Sequence, residues 1–200
     1  MNKIAMLSTW MDGMRDTPHD CIYHYGENCL QHSVQAMILC KEAKLDPLLG
    51  LLHDIGKIAT VMTRIDGQKR ERISFFHHEE IGARWLDHDV IKKALGIDNQ
   101  FIEDVRWHLK PYLENAPKAA KNQRTWVRDR FNEIDRKSGA EPTTERELLE
   151  DMMTWPNEMI INWCYKNRWP FMRQENVLYW DAYIIDGEEV LNNRKRKETA

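Results

Sequence analysis

The chain has few cysteines and spaces them poorly for metal binding. Cys21, Cys29, Cys40 and Cys164 are its four in 200 residues, and no two form a Cys-x-x-Cys pair. That argues against a cysteine-built zinc site and, with no export signal in view, predicts reduced thiols in a cytosolic protein. No apolar stretch reaches the ~18 residues that a membrane span requires. The opening MNKIAMLSTWMDGMRD lacks the long apolar core of a signal peptide, so neither a span nor export is expected. Charge of one sign is also lacking: the formal net charge is -3, which does not suit a general nucleic-acid binder. The nine glycines form no phosphate-cradling loop, and there is no internal repeat or low-complexity linker. Ser33 has no glycine-flanked nucleophile elbow around it. In HHEEIG, Gly82 stands where a zinc-protease helix would carry its second histidine.

What remains is an ordinary globular balance, 42% hydrophobic and 30% charged, enough for one sizeable domain. Residues 1–27, with Gly13, Pro18 and Gly26, read as an irregular segment. A helical domain is expected over 28–165, and residues 166–200 as a C-terminal extension packed on it, with a basic tail. Leu30, Val34, Met37 and Ile38 recur at helical spacing, with His32 off the centre of the stripe. Pro47 opens the next helix, which should run through His53 and Asp54 and end near Gly56. Within ATVMTRIDGQKRERISFF, two β-branched and aromatic stretches flank Asp66-Gly67, which predicts a small hairpin insertion around 60–76 with a two-residue turn. Helical patterns return from residue 78 onward. Pro111 should stop or kink one helix, and a basic amphipathic helix should end at Gly139. Thr144 and Glu147 form a capping box for the helix that follows.

Six polar residues fall beside the apolar helical stripes: His32, His53, Asp54, His78, His108 and Asp151. The pair His53-Asp54 stands out because Leu48, Leu49, Leu51 and Leu52 precede it and Ile55 and Ile58 follow. A carboxylate in such surroundings needs compensation. Nitrogen and oxygen donors converging from packed helices can supply it by holding a divalent ion, with zinc, iron, manganese or magnesium suited better than copper(I). Taken singly, His32 reads as easily as a core histidine, His108 as a helix-terminal one, and Asp151 as a solvated helix residue. Lys57, four residues after His53, shares its face if the helix continues that far.

LLHDIGK, with QHS upstream and HHEEIGA downstream, resembles the HD-domain metal-dependent phosphohydrolase superfamily over about residues 28–155. VRWHLKP resembles the segment that carries a further histidine in members with two metals. The pattern is similar to that of the hydrolase domains attached to some CCA-adding tRNA nucleotidyltransferases.

The resemblance implies an all-α HD-type bundle. It makes His32, His53, Asp54 and Asp151 ligands of one metal, and Asp54 a bridge to a second metal held by His78 and His108. Within His77-His78, His78 is the choice, directly before EEIGA and with Gly82 at i+4 leaving room for a close helix approach. Two divalent ions are implied, with Mn, Fe, Zn, Mg, Co and Ni not distinguished. Asp54 and Lys57 would be catalytic, and Lys57, Lys110, Arg124 and Arg128 would contact substrate. The expected activity is hydrolysis of a phosphoester of a nucleotide, or of a phosphate or cyclic phosphate at a nucleic-acid end. A mixed-valent di-iron oxygenase and a non-catalytic nucleotide-binding module are the alternatives.

Overall fold

The computed structural model describes residues 2–19, 28–118, 121, 125–139 and 146–168, and the backbone of 183–185 and 188–190; the side chains of Lys110, Thr125 and Trp126 fall outside it. The described chain is mainly helical, with two small antiparallel strand pairs. Among the described residues, no helix is long and apolar enough to cross a membrane.

The first segment corrects the sequence reading, because most of it is a helix, α1 (Lys3–Asp16). The Asn2 side chain accepts from the backbone of Ile4 and Ala5, and Leu7, Met11 and Met14 bury one face. That stripe is short and Gly13 interrupts it, so tertiary packing overrides a weak local signal. After α1, Pro18 bridges to Asn28, whose side chain caps α2 (Cys29–Glu42). Helix α2 is the centre of the fold, and ten of its fourteen residues are buried, His32 and Ser33 included. A helix packed on all sides has no solvent face, which is why His32 is interior although it leaves the apolar stripe.

Asp46 caps α3 (Pro47–Leu52), and Pro47 stands in its first turn. Helices α2 and α3 touch backbone to backbone: a Cβ at Gly50 would stand 2.5 Å from Met37 N and 2.6 Å from Ala36 O. The helix does not run on to Gly56. From Ile55 onward the amides bond three residues back (Ile55 to Leu52, Lys57 to Asp54, Ile58 to Ile55), a tightened turn that leads into α4 (Lys57–Thr60). The hairpin follows as β1 (Val61–Ile65) and β2 (Glu71–Phe75), paired from Val61↔Phe75 to Ile65↔Glu71. Its connection is the five residues 66–70 rather than a two-residue turn, because the Asp66 side chain accepts from the Gln68 and Arg70 amides and organises a wider loop.

The chain then forms α5 (His78–Leu86), α6 (Asp89–Leu95), α7 (Asn99–Arg106), α8 (Lys110–Asn115), α9 (Thr125–Ser138), α10 (Arg146–Thr154) and α11 (Asn157–Arg168). Helix α7 stops at Arg106, ahead of Pro111, which instead lies in the first turn of α8. Helices α1, α3, α9, α10 and α11 all pack against α2. The buried Arg168 fastens the far end of the fold, donating to Asp46 at 2.8 and 3.1 Å and to the carbonyls of Leu95 and Gly96. The capping box at Thr144 and the basic tail lie outside the described residues. In the C-terminal extension, β3 (Tyr183–Ile185) pairs with β4 (Glu188–Val190). Because the added methyl of Gly50→Ala meets backbone rather than a yielding side chain, that variant should lose about 2–3 kcal/mol. Urea unfolding measures this, and an unchanged midpoint would contradict the close α2–α3 contact.

Candidate metal centre

Three of the four histidines of the cluster are aimed by the nearby backbone. His53 Nδ1 donates to the Gly50 carbonyl at 2.8 Å, His78 Nδ1 to Phe75 at 2.7 Å and His108 Nδ1 to Val105 at 2.7 Å. In all three the acceptor is the carbonyl three residues earlier, which fixes a proton on Nδ1 and turns Nε2 toward the centre, the nitrogen that would bind a cation once it carries no proton. His32 reaches the same state through a side chain. The Ser138 hydroxyl donates to the Asp135 carbonyl at 2.8 Å, so its oxygen accepts from His32 Nδ1 at 3.3 Å.

The four Nε2 atoms fall into two groups around Asp54. In the first, His32 Nε2, His53 Nε2, Asp54 Oδ2 and Asp135 Oδ1 stand 3.2–3.3 Å from one another in each of the five recorded pairs. Donors about 2.1 Å from a common ion lie about 3.0 Å apart in an octahedral shell and about 3.4 Å apart in a tetrahedral one. The observed spacing falls between. In the second group, His78 Nε2 and His108 Nε2 lie 3.0 and 3.7 Å from Asp54 Oδ1. Both nitrogens are buried, yet neither makes a hydrogen bond. Buried polar atoms of this kind need a partner, and these neutral donors suit a cation. The residues therefore fit a metal: each group can hold one ion, and Asp54 offers one oxygen to each.

The tight turn after Leu52 explains how neighbours in sequence share this centre. Residues three apart eclipse in such a turn. Lys57 consequently lies over Asp54, its Nζ 2.6 Å from Oδ2, and not on the face of His53 as an uninterrupted helix would place it. Lys57 is buried, so it is no surface lysine. At Gly56 a Cβ would come within 1.9 Å of the His78 carbonyl oxygen, and only a glycine lets α5 approach closely enough to bring His78 to Asp54. His77, at φ 59°, makes the turn from β2 into α5 and leaves its side chain 74% exposed, while His78 turns inward.

Electrostatics follow from burial. Desolvation alone would lower the His53 pKa, but the carboxylates of Asp54 and Asp135 raise it to about 10. Burial and the charge on His53 push His108 down to about 3. Asp54 is held well below its usual range: burial opposes this, but His53 and Lys57 outweigh it. Asp135 is depressed likewise, its hydrogen bonds with His32 and His53 overcoming desolvation.

Two expectations from sequence need correction. Asp151 does not join the cluster. Helix α10 buries Leu149 and Met152 and leaves Asp151 exposed, while Asp135 on α9 supplies the carboxylate. Asp135 follows Ile134 in the stripe Val127, Phe131, Ile134, a signal the basic character of this helix obscured. Arg128, expected to contact substrate, is not an exposed side chain. It is buried against Asp104 at 3.5 Å and, with Asn132 donating to the His108 carbonyl, ties α9 to the end of α7. Arg124 and the side chain of Lys110 lie outside the described residues.

Comparison with protein-family models gives no match, and comparison with curated proteins gives none either.

Two measurements check the centre. Asp135→Asn should lower bound metal per chain by at least about tenfold in affinity, whereas Asp151→Asn should leave it unchanged; elemental analysis after dialysis separates the two. In protein stripped of metal, the raised His53 pKa stabilises the fold fully below 6.5, and this contribution is lost as pH rises through about 10. A metal must displace that proton. Its apparent affinity should therefore rise about tenfold per pH unit between pH 7 and 9, with proton release visible in calorimetry across buffers of different ionisation enthalpy.

Proposed function

We propose that this protein is a metal-dependent phosphohydrolase acting on a nucleotide-sized phosphoester. The observation that carries the reading is the buried Asp54, whose two oxygens face separate donor groups while Lys57 sits against it. Bound in these groups, two divalent ions supply an activated water and positive charge for the phosphoryl oxygens. No side-chain nucleophile is needed, in keeping with the absence of a nucleophile elbow in the sequence.

The chain's own residues divide the remaining work. His53, His78 and His108 are held rigidly by their carbonyl partners, so the donor set is organised before any ligand arrives. Lys57 adds a fixed positive charge where an anionic phosphate would enter. Asp54, Lys57 and His78 are among the residues lining a cleft of about 290 Å³. That volume lies at the lower edge of small-molecule sites, about 300–1,000 Å³, and favours a mononucleotide or a single terminal phosphate.

The hairpin supports a nucleotide. Arg64 and Phe76 line the same cleft. Phe76 is 53% exposed, and the Arg64 guanidinium carbon stands 5.9 Å from its ring centroid. An exposed ring beside a cation suits a nucleobase, which stacks through its π-face. Neither residue stood out in the sequence.

A screen of nucleoside monophosphates, triphosphates and cyclic nucleotides against manganese-loaded protein tests the reading. Phosphate release should fall at least about a thousandfold in a His53→Ala/Asp54→Ala variant, and release that survives the double change would refute it. Oxygen consumption by iron-loaded protein without phosphate release would replace it with an oxygenase. Phe76→Ala should raise KM for the preferred nucleotide about tenfold and change kcat little.

A further inference from the structure

A seventh residue type-matched to this chemistry lies beside the centre without belonging to it. His19 follows α1 and is buried. Its ring stands 4.9 Å from that of His32 and 5.9 Å from that of Phe75, yet it belongs to neither donor group. Besides this ring contact with His32 it meets Lys57, whose Nζ is hydrogen-bonded to His19 Nε2 at 3.0 Å.

Lys57 thus stands between two groups, the Asp54 carboxylate at 2.6 Å and the His19 ring at 3.0 Å. An ammonium has three donors on a freely rotating bond, and its stem has several rotatable bonds. Asp54 fixes how near the ammonium stays to the centre. A second, neutral acceptor on another side fixes its direction, without adding negative charge that would repel a phosphate. Phe75 closes a further side, its ring centroid 5.1 Å from Nζ. His19 itself is well anchored: the Cys29 amide donates to the Thr17 carbonyl at 2.9 Å, and Pro18 bridges to Asn28. The segment that places His19 is therefore tied to the start of the helix that carries His32.

We infer that His19 is a positioning residue, which orients the Lys57 ammonium into the cleft so that it meets an incoming phosphate. Only the identity of the anion rests on the phosphohydrolase reading. The alternative role, a buried ring that merely fills space, predicts a different response to mutation.

The experiment is a double-mutant cycle on full-length protein loaded with Mn²⁺, with orthophosphate as the probe, affinity read by calorimetry and manganese per chain by elemental analysis. His19→Leu should weaken orthophosphate about fivefold or more and leave the manganese content unchanged. His19→Gln, which restores an acceptor, should recover binding to within about twofold of wild type. In a Lys57→Met background, His19→Leu should add no further weakening. If His19→Leu does not fold, His19→Asn, whose acceptor is too short to reach Lys57, takes its place in the cycle. The inference is overturned if the His19 change has no effect, or if its effect persists in full without Lys57. Wild-type protein that binds manganese but no orthophosphate would overturn the phosphohydrolase reading as well; additive effects on measurable binding would overturn this inference alone.

Discussion

The fold is organised around one buried carboxylate. Asp54 is 1% exposed at the end of a buried run of leucines, where an unpaired charge is costly. Everything nearby answers that cost. Lys57 pairs with it directly, and the Nε2 atoms of four histidines lie 3.0–3.7 Å from one or other of its oxygens. Those histidines arrive from α2, the α3 turn, α5 and the end of α7, and Asp135 from α9. Five separate pieces of chain must therefore be in register for Asp54 to be tolerated at all, which couples the integrity of the site to that of the core.

The delivery uses one local device repeatedly. His53, His78 and His108 each donate Nδ1–H to the carbonyl three residues before, at places where the backbone leaves or enters a helix. Such carbonyls lack helical partners of their own, so the same bond satisfies an orphan acceptor and orients a ring. His32, in the first turn of α2, where the helix bonds already use the carbonyls, takes the hydroxyl of Ser138 instead. The outcome is four rings that each hold Nδ1 in a hydrogen bond and turn Nε2 toward Asp54. This preorganisation resembles a site built for a cation more than a hydrogen-bonded polar core, since the nitrogens of His78 and His108 find no bond in the protein.

Around this rigid floor, the more exposed parts supply character. Arg64 of the hairpin and Phe76 directly after it line the cleft, and β1 is exposed along its whole length. Helix α9, read from sequence as a basic amphipathic helix, turns an inner face to the site: Arg128 holds Asp104, Asn132 holds the His108 carbonyl, Phe131 lies edge-on to His53, and Asp135 joins the donors. Those four positions recur at helical spacing, so the helix carries both a solvated basic side and a polar ladder that registers it against α7 and α2.

The sequence by itself determined that the chain is mainly helical with a hairpin near 60–76, because periodicity and turn chemistry are local properties. It also marked His32, His53, Asp54, His78 and His108 as polar residues set against apolar stripes. The tertiary structure alone decided between Asp151 and Asp135. Both are carboxylates beside buried residues of a helix, and only the way α9 and α10 pack on α2 turns one inward and the other to solvent. It likewise moved Lys57 onto Asp54, since the tightened turn after Leu52 answers to the close contact of Gly56 with α5, and brought His19 to Lys57 from a segment without a clear helical signal. Periodicity tells which side chains leave a stripe; which of them meet depends on helix contacts between residues far apart in the chain.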